Sequence, residues 1–208
     1  MSESSRSAAK LWKTLYELKS LPRTGWVDRG IAASEAESVA DHSFFTMLIA
    51  WVAAHDDQSL DTNRVLQLAL IHDTAEAIAG DIPPYDAADI PTDQDERRAF
   101  FSVRLNRSPE NKARKDAIEA EATERVMSML PASVRPIWQE LWDEYEQQES
   151  PEARLVKQVD RLEAFIQSRL YAEKYADAPV IGFSDMARQA IDHPLLIEIR
   201  DAFLSEID

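Results

Sequence analysis

Two histidines and two aspartates lie where their side chains could do chemistry. His42 lies in ESVADHS, His72 and Asp73 in LALIHDTAEAIAGD, and Asp160 in KQVDRLEAF. An imidazole near a carboxylate in apolar, helix-like surroundings is costly to bury unless something pairs with both groups. Two readings follow. The groups form buried ion pairs that serve packing, or they bind a divalent metal that would support hydrolysis.

Helices must position these groups, because apolar residues recur at helical spacing along most of the chain. Only four glycines occur in 208 residues, and the Asn-Gly and Asp-Gly pairs that mark β-hairpins are absent. We therefore predict an all-α fold, a single-domain helical bundle over 1–208 with a core over about 11–175 and C-terminal helices over 184–207. The polar, weakly patterned stretch 85–115 predicts a flexible insert.

Capping and helix-breaking residues predict where the helices begin and end. The first helix should end near Pro22, before a loop that contains two glycines. Ser38 or Asp41 should cap the next helix, which runs to about residue 55. A further helix should contain His72 and stop near Gly80. After a loop over 81–93, helices are expected over 94–105, 112–129, 133–148, 151–175, 184–191 and 194–207.

Helical geometry allows the candidate groups to converge. Adjacent helical residues differ in direction by about 100°, so His72 and Asp73 can both face one ion. Glu76 lies about one turn further along, on the same face as His72. Asp160 lies in the interior of a predicted helix, where aspartate is intrinsically unfavourable. Together with His42, these residues describe a metal held by two imidazoles and two carboxylates from three helices.

The composition limits which ligands and partners are expected. No cysteine occurs, which excludes disulfides, thiolate nucleophiles and cysteine-bound zinc. The formal net charge of −15 repels a phosphate backbone, so we expect no nucleic-acid polymer as a partner. The longest apolar runs are too short to span a bilayer, and MSESSRSAAK lacks the apolar core of a signal peptide. These features predict a cytoplasmic protein that acts on something small.

The sequence around these residues resembles that of a known protein family. RTGW, ESVADHS, HDxxExxxGD and KQxD together are similar to the HD-domain metal-dependent phosphohydrolases, in particular to their 5′-deoxynucleotidase branch. The resemblance covers about residues 11–160 and extends more loosely to the C-terminus. It implies an HD-domain helical bundle in which four residues bind one divalent transition metal, such as Mn, Fe, Co, Ni or Zn. The implied ligands are His42, His72, Asp73 and Asp160.

The resemblance also implies roles for neighbouring residues. Glu76 matches the family's catalytic acid, and Asp81 matches a second acid near the substrate sugar and the leaving oxygen. Arg23 and Trp26, in RTGW, match the loop that holds the phosphate and the sugar or base. The chemistry of the arginine suits this role, because a guanidinium fits a monophosphate bidentately. One metal is expected, since dinuclear HD phosphodiesterases have further histidines after the HD pair and none follows here before residue 193.

Plainer interpretations of the same residues stay open. Glu76 could be a solvated helix-face acid, Asp81 a turn residue and Trp26 a core aromatic. Arg29 or Lys157 could bind the phosphate in place of the arginine of RTGW.

The implied reaction is hydrolysis of 2′-deoxynucleoside 5′-monophosphates by a metal-activated water. Hydrolysis of an alarmone is an alternative, although such enzymes have HDxxED and here Ala77 follows Glu76. Triphosphate hydrolysis is another, although those enzymes are longer chains. A non-catalytic nucleotide-binding module is the third, although all four ligands and the acid are present. The family further implies a homodimer. The tryptophans that are not assigned to the site could pack at its subunit contact; they are Trp12, Trp51, Trp138 and Trp142.

Overall fold

The fold consists of α-helices throughout the part of the chain that the computed structural model describes, residues 3–205. Within that part lie eleven α-helices and no β-strand, so the prediction of an all-α fold is confirmed. The helices are α1 (Glu3–Tyr16), α2 (Thr24–Val27), α3 (Val39–Asp56), α4 (Thr62–Ile71), α5 (Glu76–Ala79), α6 (Gln94–Phe101), α7 (Pro109–Met129), α8 (Arg135–Gln147), α9 (Pro151–Lys174), α10 (Gly182–Ala190) and α11 (Pro194–Ser205). Among the described residues, no helix is both long and apolar enough to cross a bilayer.

Helix α9 is the central element, since α3, α4, α8, α10 and α11 all contact it. Its inner face carries Val156, Val159, Leu162 and Phe165, each with 0% of its surface exposed. These residues belong to one continuous apolar cluster. Full burial of one such side chain stabilises a fold by about 1.5–3 kcal/mol. The helix that carries Asp160 is therefore firmly fixed.

Helix α3 begins with a reciprocal cap. Ser38 Oγ accepts a hydrogen bond from the backbone N–H of Asp41 at 3.1 Å, and Asp41 Oδ2 accepts one from the backbone N–H of Ser38 at 2.9 Å. This arrangement satisfies donors that the first turn of a helix leaves free. The predicted cap is confirmed, and it fixes the first turn of α3, where His42 lies.

The prediction of one continuous helix through His72 is wrong, because the structure has two separate helices there. α4 ends at Ile71, and a turn separates it from α5. In this turn, side chains compete for backbone acceptors: His72 Nδ1 bonds the carbonyl of Ala69 and Thr74 Oγ1 bonds that of Ile71, both at 2.7 Å. Such local bonds offer the backbone an alternative to the helix. The break places His72 and Asp73 at a helix end.

Other helix ends also differ from the predictions. α1 ends at Tyr16 and is followed by a 3₁₀ turn over Glu17–Lys19, so the first helix does not reach Pro22. The predicted loop after Pro22 contains the short α2. Further along, the predicted helices are present with shifted ends. For example, α7 begins at Pro109, since proline suits a first helical turn.

The segment 85–115 contains a 3₁₀ turn, all of α6 and the beginning of α7. Tyr85 is 8% exposed and Phe101 is 0% exposed, so the segment contributes buried side chains. Arg97 Nε donates to the carbonyl of Asp28 at 3.1 Å, which ties the segment to the end of α2. Its flexibility stays a prediction.

Candidate metal centre and catalytic cleft

A cleft of about 270 Å³ brings the predicted residues together. It lies among α2, the turn between α4 and α5, and parts of α8, α9 and α10. The predicted residues that line it are Arg23, Trp26, His72, Asp73, Glu76, Asp81 and Asp160. His42, on α3, does not line the cleft but lies directly behind it, with Nε2 3.3 Å from Asp160 Oδ1.

Two buried imidazoles present the same nitrogen atom to one point. His42 is 0% exposed and donates from Nδ1 to the carboxylate of Glu163, while His72 is 3% exposed and donates from Nδ1 to the carbonyl of Ala69. In a neutral imidazole, a proton on Nδ1 leaves the lone pair of Nε2 free to bind a metal. Neither Nε2 has a hydrogen-bond partner among the described residues. Buried polar atoms without partners indicate that something else binds there.

Two carboxylates face these nitrogen atoms. Asp73 Oδ2 lies 3.3 Å from His72 Nε2 and 3.6 Å from His42 Nε2. Asp160 Oδ1 approaches from α9. The ligand atoms of His42, His72 and Asp73 all lie within 4.8 Å of one another. With Asp160 they offer two nitrogens and two oxygens, a donor set that suits a divalent transition metal. The residues present therefore fit the ion that the sequence predicts.

The surrounding charges favour a cation at this point. Burial and Arg23 lower the pKa of His42, but the carboxylates of Asp160 and Glu163 outweigh them and raise it to about 10. Burial acts to raise the pKa of Asp160, yet Lys157 and His42 hold it well below its ordinary value. The carboxylate of Asp160 therefore stays charged and favours positive charge beside it, either a proton on His42 Nε2 or a metal ion in the place of that proton.

Glu76 has a different environment from the two aspartates. Burial raises the pKa of its carboxyl group well above the ordinary value, and Asp73 and Asp81 raise it further. Its Oε2 atom has no hydrogen-bond partner among the described residues. Arg23 Nη1 lies 3.8 Å away. A carboxyl group whose pKa is raised in this way is suited to donate a proton.

Asp81 joins two loops of the cleft. Its Oδ2 atom accepts a hydrogen bond from the backbone N–H of Thr24 at 2.5 Å, and its carbonyl accepts one from Thr24 Oγ1 at 2.7 Å. Its Oδ1 atom lies 3.5 Å from Arg23 Nη1. Asp81 therefore holds the loop that carries Arg23 in place beside the metal centre.

Six basic residues line the cleft, and three of them are the residues that the sequence offered for binding phosphate. Arg23 Nη1 lies 3.0 Å from Asp73 Oδ2, so it is already engaged with an acid of the site. The guanidinium of Arg29 stacks 4.3 Å from the ring centroid of Phe101, which is a packing role. The side chain of Lys157 is 38% exposed on the cleft wall. Arg23 and Lys157 are thus the candidates for binding phosphate.

Trp26 makes the contacts of a core residue. It is 2% exposed, and its ring centroid lies 4.5 Å from that of Phe183 and 5.2 Å from that of Tyr171. Its Nε1 atom donates to Glu37 Oε1 at 2.7 Å. A role for Trp26 in stacking on substrate stays a prediction.

Sequence reasoning missed three groups that support the site. Glu163 had a signal, since it lies three residues after Asp160 on the same face of α9. Burial and Glu163 together raise the pKa of Glu37, which lies close by, to about 7. Tyr145 Oη accepts a hydrogen bond from Lys157 Nζ at 3.0 Å. Local patterns did not single out Glu37 or Tyr145, because their contacts with Trp26 and Lys157 depend on how separate helices pack.

A comparison with protein families identifies the family of the chain. Residues 15–194 match the family described as HD domain. This chain belongs to the HD domain family. Within the family's matched region lie all four of the predicted metal ligands and Glu76.

Several relatives match most of the chain. The chain is 33% identical to human 5′-deoxynucleotidase HDDC2 over 195 residues, which cover 93% of this chain and 83% of that one. It is 35% identical to the mouse 5′-deoxynucleotidase HDDC2 over 201 residues, or 94% and 87% of the two chains. For 5′-deoxynucleotidase hdd1 of Schizosaccharomyces pombe the identity is 31% over 186 residues, or 88% and 81%.

Solved structures share the fold. The PH0347 protein from Pyrococcus horikoshii superimposes with a TM-score of 0.66 at 27% identity, covering 94% of this chain and 97% of that one. A conserved hypothetical protein from Pyrococcus furiosus gives a TM-score of 0.66 at 25% identity, covering 95% and 99%.

Proposed function

We propose that this protein hydrolyses 2′-deoxynucleoside 5′-monophosphates to a deoxynucleoside and phosphate, with one divalent transition metal. The observation that carries the proposal is the pair of Nε2 atoms of His42 and His72, which have no hydrogen-bond partner in the described part of the chain and face the carboxylates of Asp73 and Asp160. The names of the matched relatives support the substrate class. A cytoplasmic location stays a prediction.

The residues of the cleft divide the chemistry between them. A divalent metal, when bound by the four ligands, would lower the pKa of a water molecule and polarise the phosphoryl oxygens. Glu76 keeps a proton that it can transfer to the leaving 5′-oxygen. Arg23 and Lys157 supply positive charge for the phosphate oxygens. Asp81 holds the Arg23 loop, and we infer that its Oδ1 atom also contacts the sugar.

The proposal is tested with metal-loaded protein and a substrate panel. Deoxy- and ribonucleoside monophosphates, deoxynucleoside triphosphates and guanosine tetraphosphate are compared, and phosphate is measured separately from pyrophosphate. We expect phosphate release from deoxynucleoside monophosphates. Pyrophosphate release would instead support one of the other hydrolases, and no release from any nucleotide would support a non-catalytic binding module.

Two variants separate metal binding from proton transfer. His72→Ala should lose the metal, measured by elemental analysis. Glu76→Gln should keep it while kcat falls by about 10²- to 10⁴-fold, because a positioned proton donor contributes about that much. Glu198→Gln, at an exposed position of α11, is the matched control and should retain full activity. Full activity in Glu76→Gln would remove the assignment of Glu76.

We also propose that the protein is a homodimer formed through the outer face of α3. Five large apolar side chains follow one another on this face at helical spacing. Their exposed fractions are 52% for Phe44, 52% for Phe45, 43% for Leu48, 46% for Trp51 and 51% for Val52. Monomeric proteins rarely expose such a contiguous patch.

The opposite face of α3 is also apolar or buried, with Thr46, Ala50 and Ala53 at 0% exposure. A helix that is hydrophobic all round is normally covered on all sides. A second copy of the chain is the occupant we propose, because the same patch on two subunits is self-complementary about a two-fold axis.

A further inference from the structure

Part of the cleft wall is apolar and comes from segments that carry none of the proposed metal ligands. Pro84 follows α5, Val103 and Leu105 follow α6, and Phe183 and Met186 belong to α10. Val103 is 55% exposed although its side chain is aliphatic. Exposed apolar surface inside a concave site is typical of a wall that a ligand covers.

One glycine sets how closely the two main parts of this wall approach. Gly182 is the first residue of α10, and a Cβ added to it would lie 2.6 Å from the carbonyl oxygen of Val103 and 3.0 Å from that of Phe101. Real Cβ atoms do not approach so near, and both oxygens belong to backbone, so neither can turn away as a flexible side chain would. Phe101 is fully buried and anchors that backbone. A residue with a side chain at 182 must therefore push the segment and α10 apart.

We propose that Val103, Leu105, Phe183 and Met186 form the wall against which the nucleobase of the substrate packs. Gly182 is then the specificity-determining residue, because it holds the two parts of the wall together. This inference rests on the proposed function, since the metal centre binds the phosphate and the base must lie elsewhere in the same cleft.

The chemistry of the wall indicates how it recognises a base. Its surface is mainly apolar, and the nearby guanidinium of Arg104 already donates from Nη1 to Gln189 Oε1 at 2.7 Å. Such a wall favours a base by the ring area that it buries and not by the pattern of hydrogen-bonding groups on the base edge. Purines should therefore gain more from it than pyrimidines.

The test compares a nucleotide with its base-free counterpart. Deoxyadenosine 5′-monophosphate and 2-deoxyribose 5-phosphate share the phosphate and sugar, so the ratio of their kcat/KM values reports the contribution of the base. Gly182→Ala should lower this ratio by roughly tenfold, as expected when a binding wall is displaced. The control is Asp185→Ala, since Asp185 lies on the same helix with a side chain that is 53% exposed, and it should leave the ratio unchanged.

A second variant keeps the proposal testable if Gly182→Ala does not fold. Val103→Ser removes apolar surface at an exposed position without a clash, and should lower the ratio by about fivefold. An unchanged ratio in both folded variants would overturn the proposal. Equal losses for both substrates would overturn it as well, because they would mean a general defect.

Binding measured without hydrolysis separates this inference from the proposed function. The dissociation constant of deoxyadenosine for the metal-loaded protein, measured by calorimetry, should rise in both variants by factors like those above. If no substrate is hydrolysed, the proposed function fails, yet this binding difference still decides whether the wall receives a base. Equal dissociation constants in the wild type and both variants would count against the wall.

Discussion

Glu163 determines how the imidazole of His42 presents itself to the cleft. It is 4% exposed and accepts the Nδ1 proton of His42, which fixes both the tautomer and the orientation of the ring. The corresponding partner of His72 is the backbone carbonyl of Ala69, which no substitution at that position removes. A single substitution can therefore release one imidazole of the pair and leave the other held.

Replacing Glu163 with glutamine should weaken metal binding. The side chain keeps its size, but the negative charge that holds the Nδ1 proton is lost. We expect metal affinity to fall by about 10- to 100-fold, as is typical when the partner of a ligating histidine is removed. Titration with Mn²⁺ or Co²⁺, followed by elemental analysis, measures this change.

The matched control for Glu163→Gln is Glu173→Gln, which alters an exposed acid of the same helix. Affinity for metal should be unchanged in this control. Wild-type affinity in Glu163→Gln, with its fold intact by circular dichroism, would mean that the Glu163–His42 contact does not support the site.

At the scale of the helices, the cap of α3 stabilises the first turn of the helix, which carries the proposed metal ligand His42. Ser38→Ala removes the side-chain acceptor at the start of the helix, and such changes lower the free energy of unfolding by about 1 kcal/mol. We expect a lower Tm in thermal unfolding. Ser133→Ala, at an exposed position in the turn before α8, should leave Tm unchanged. Equal Tm values for the two variants would contradict the role of the cap.

The sequence predicted helices well where one strong signal acts and poorly where two compete. α3 and α9 have clear caps and apolar periodicity, and both lie close to their predicted bounds. The break after α4 was missed, because the bonds of His72 and Thr74 to backbone carbonyls override a favourable helical pattern. The predicted spacing of His72, Asp73 and Glu76 still brought them together, since the turn keeps a nearly helical path.

The site itself was predictable only in part. Its proposed ligands and acid stand in a composite motif that the sequence displays. Glu37 and Tyr145 contribute through packing between separate elements, which no local pattern encodes. The wall around Gly182 likewise depends on the approach of α10 to the chain after α6.

At the scale of the whole molecule, the proposed dimer makes a prediction about mass. Leu48→Glu places a carboxylate in the middle of the apolar face of α3, so two unpaired charges would meet at the interface. The dissociation constant of the dimer should rise by roughly 100-fold or more. Size-exclusion chromatography with light scattering measures the mass of the wild type and the variant.

The control for this prediction is Leu170→Glu, at a residue of α9 that is 46% exposed. It should leave the mass unchanged. A wild-type protein that is monomeric at micromolar concentration, or a Leu48→Glu variant that remains dimeric, would contradict the α3 interface.

Both faces of α3 carry side chains with a role. One face carries His42 and buried core residues, and the other carries the exposed apolar side chains from Phe44 to Val52. An insertion or deletion of one residue within the helix rotates everything beyond it by about 100° and shifts it by about 1.5 Å. Either His42 or the outer row would then point in the wrong direction. The length of α3 should therefore be far less tolerant of change over evolution than the loop at 57–61 that follows it.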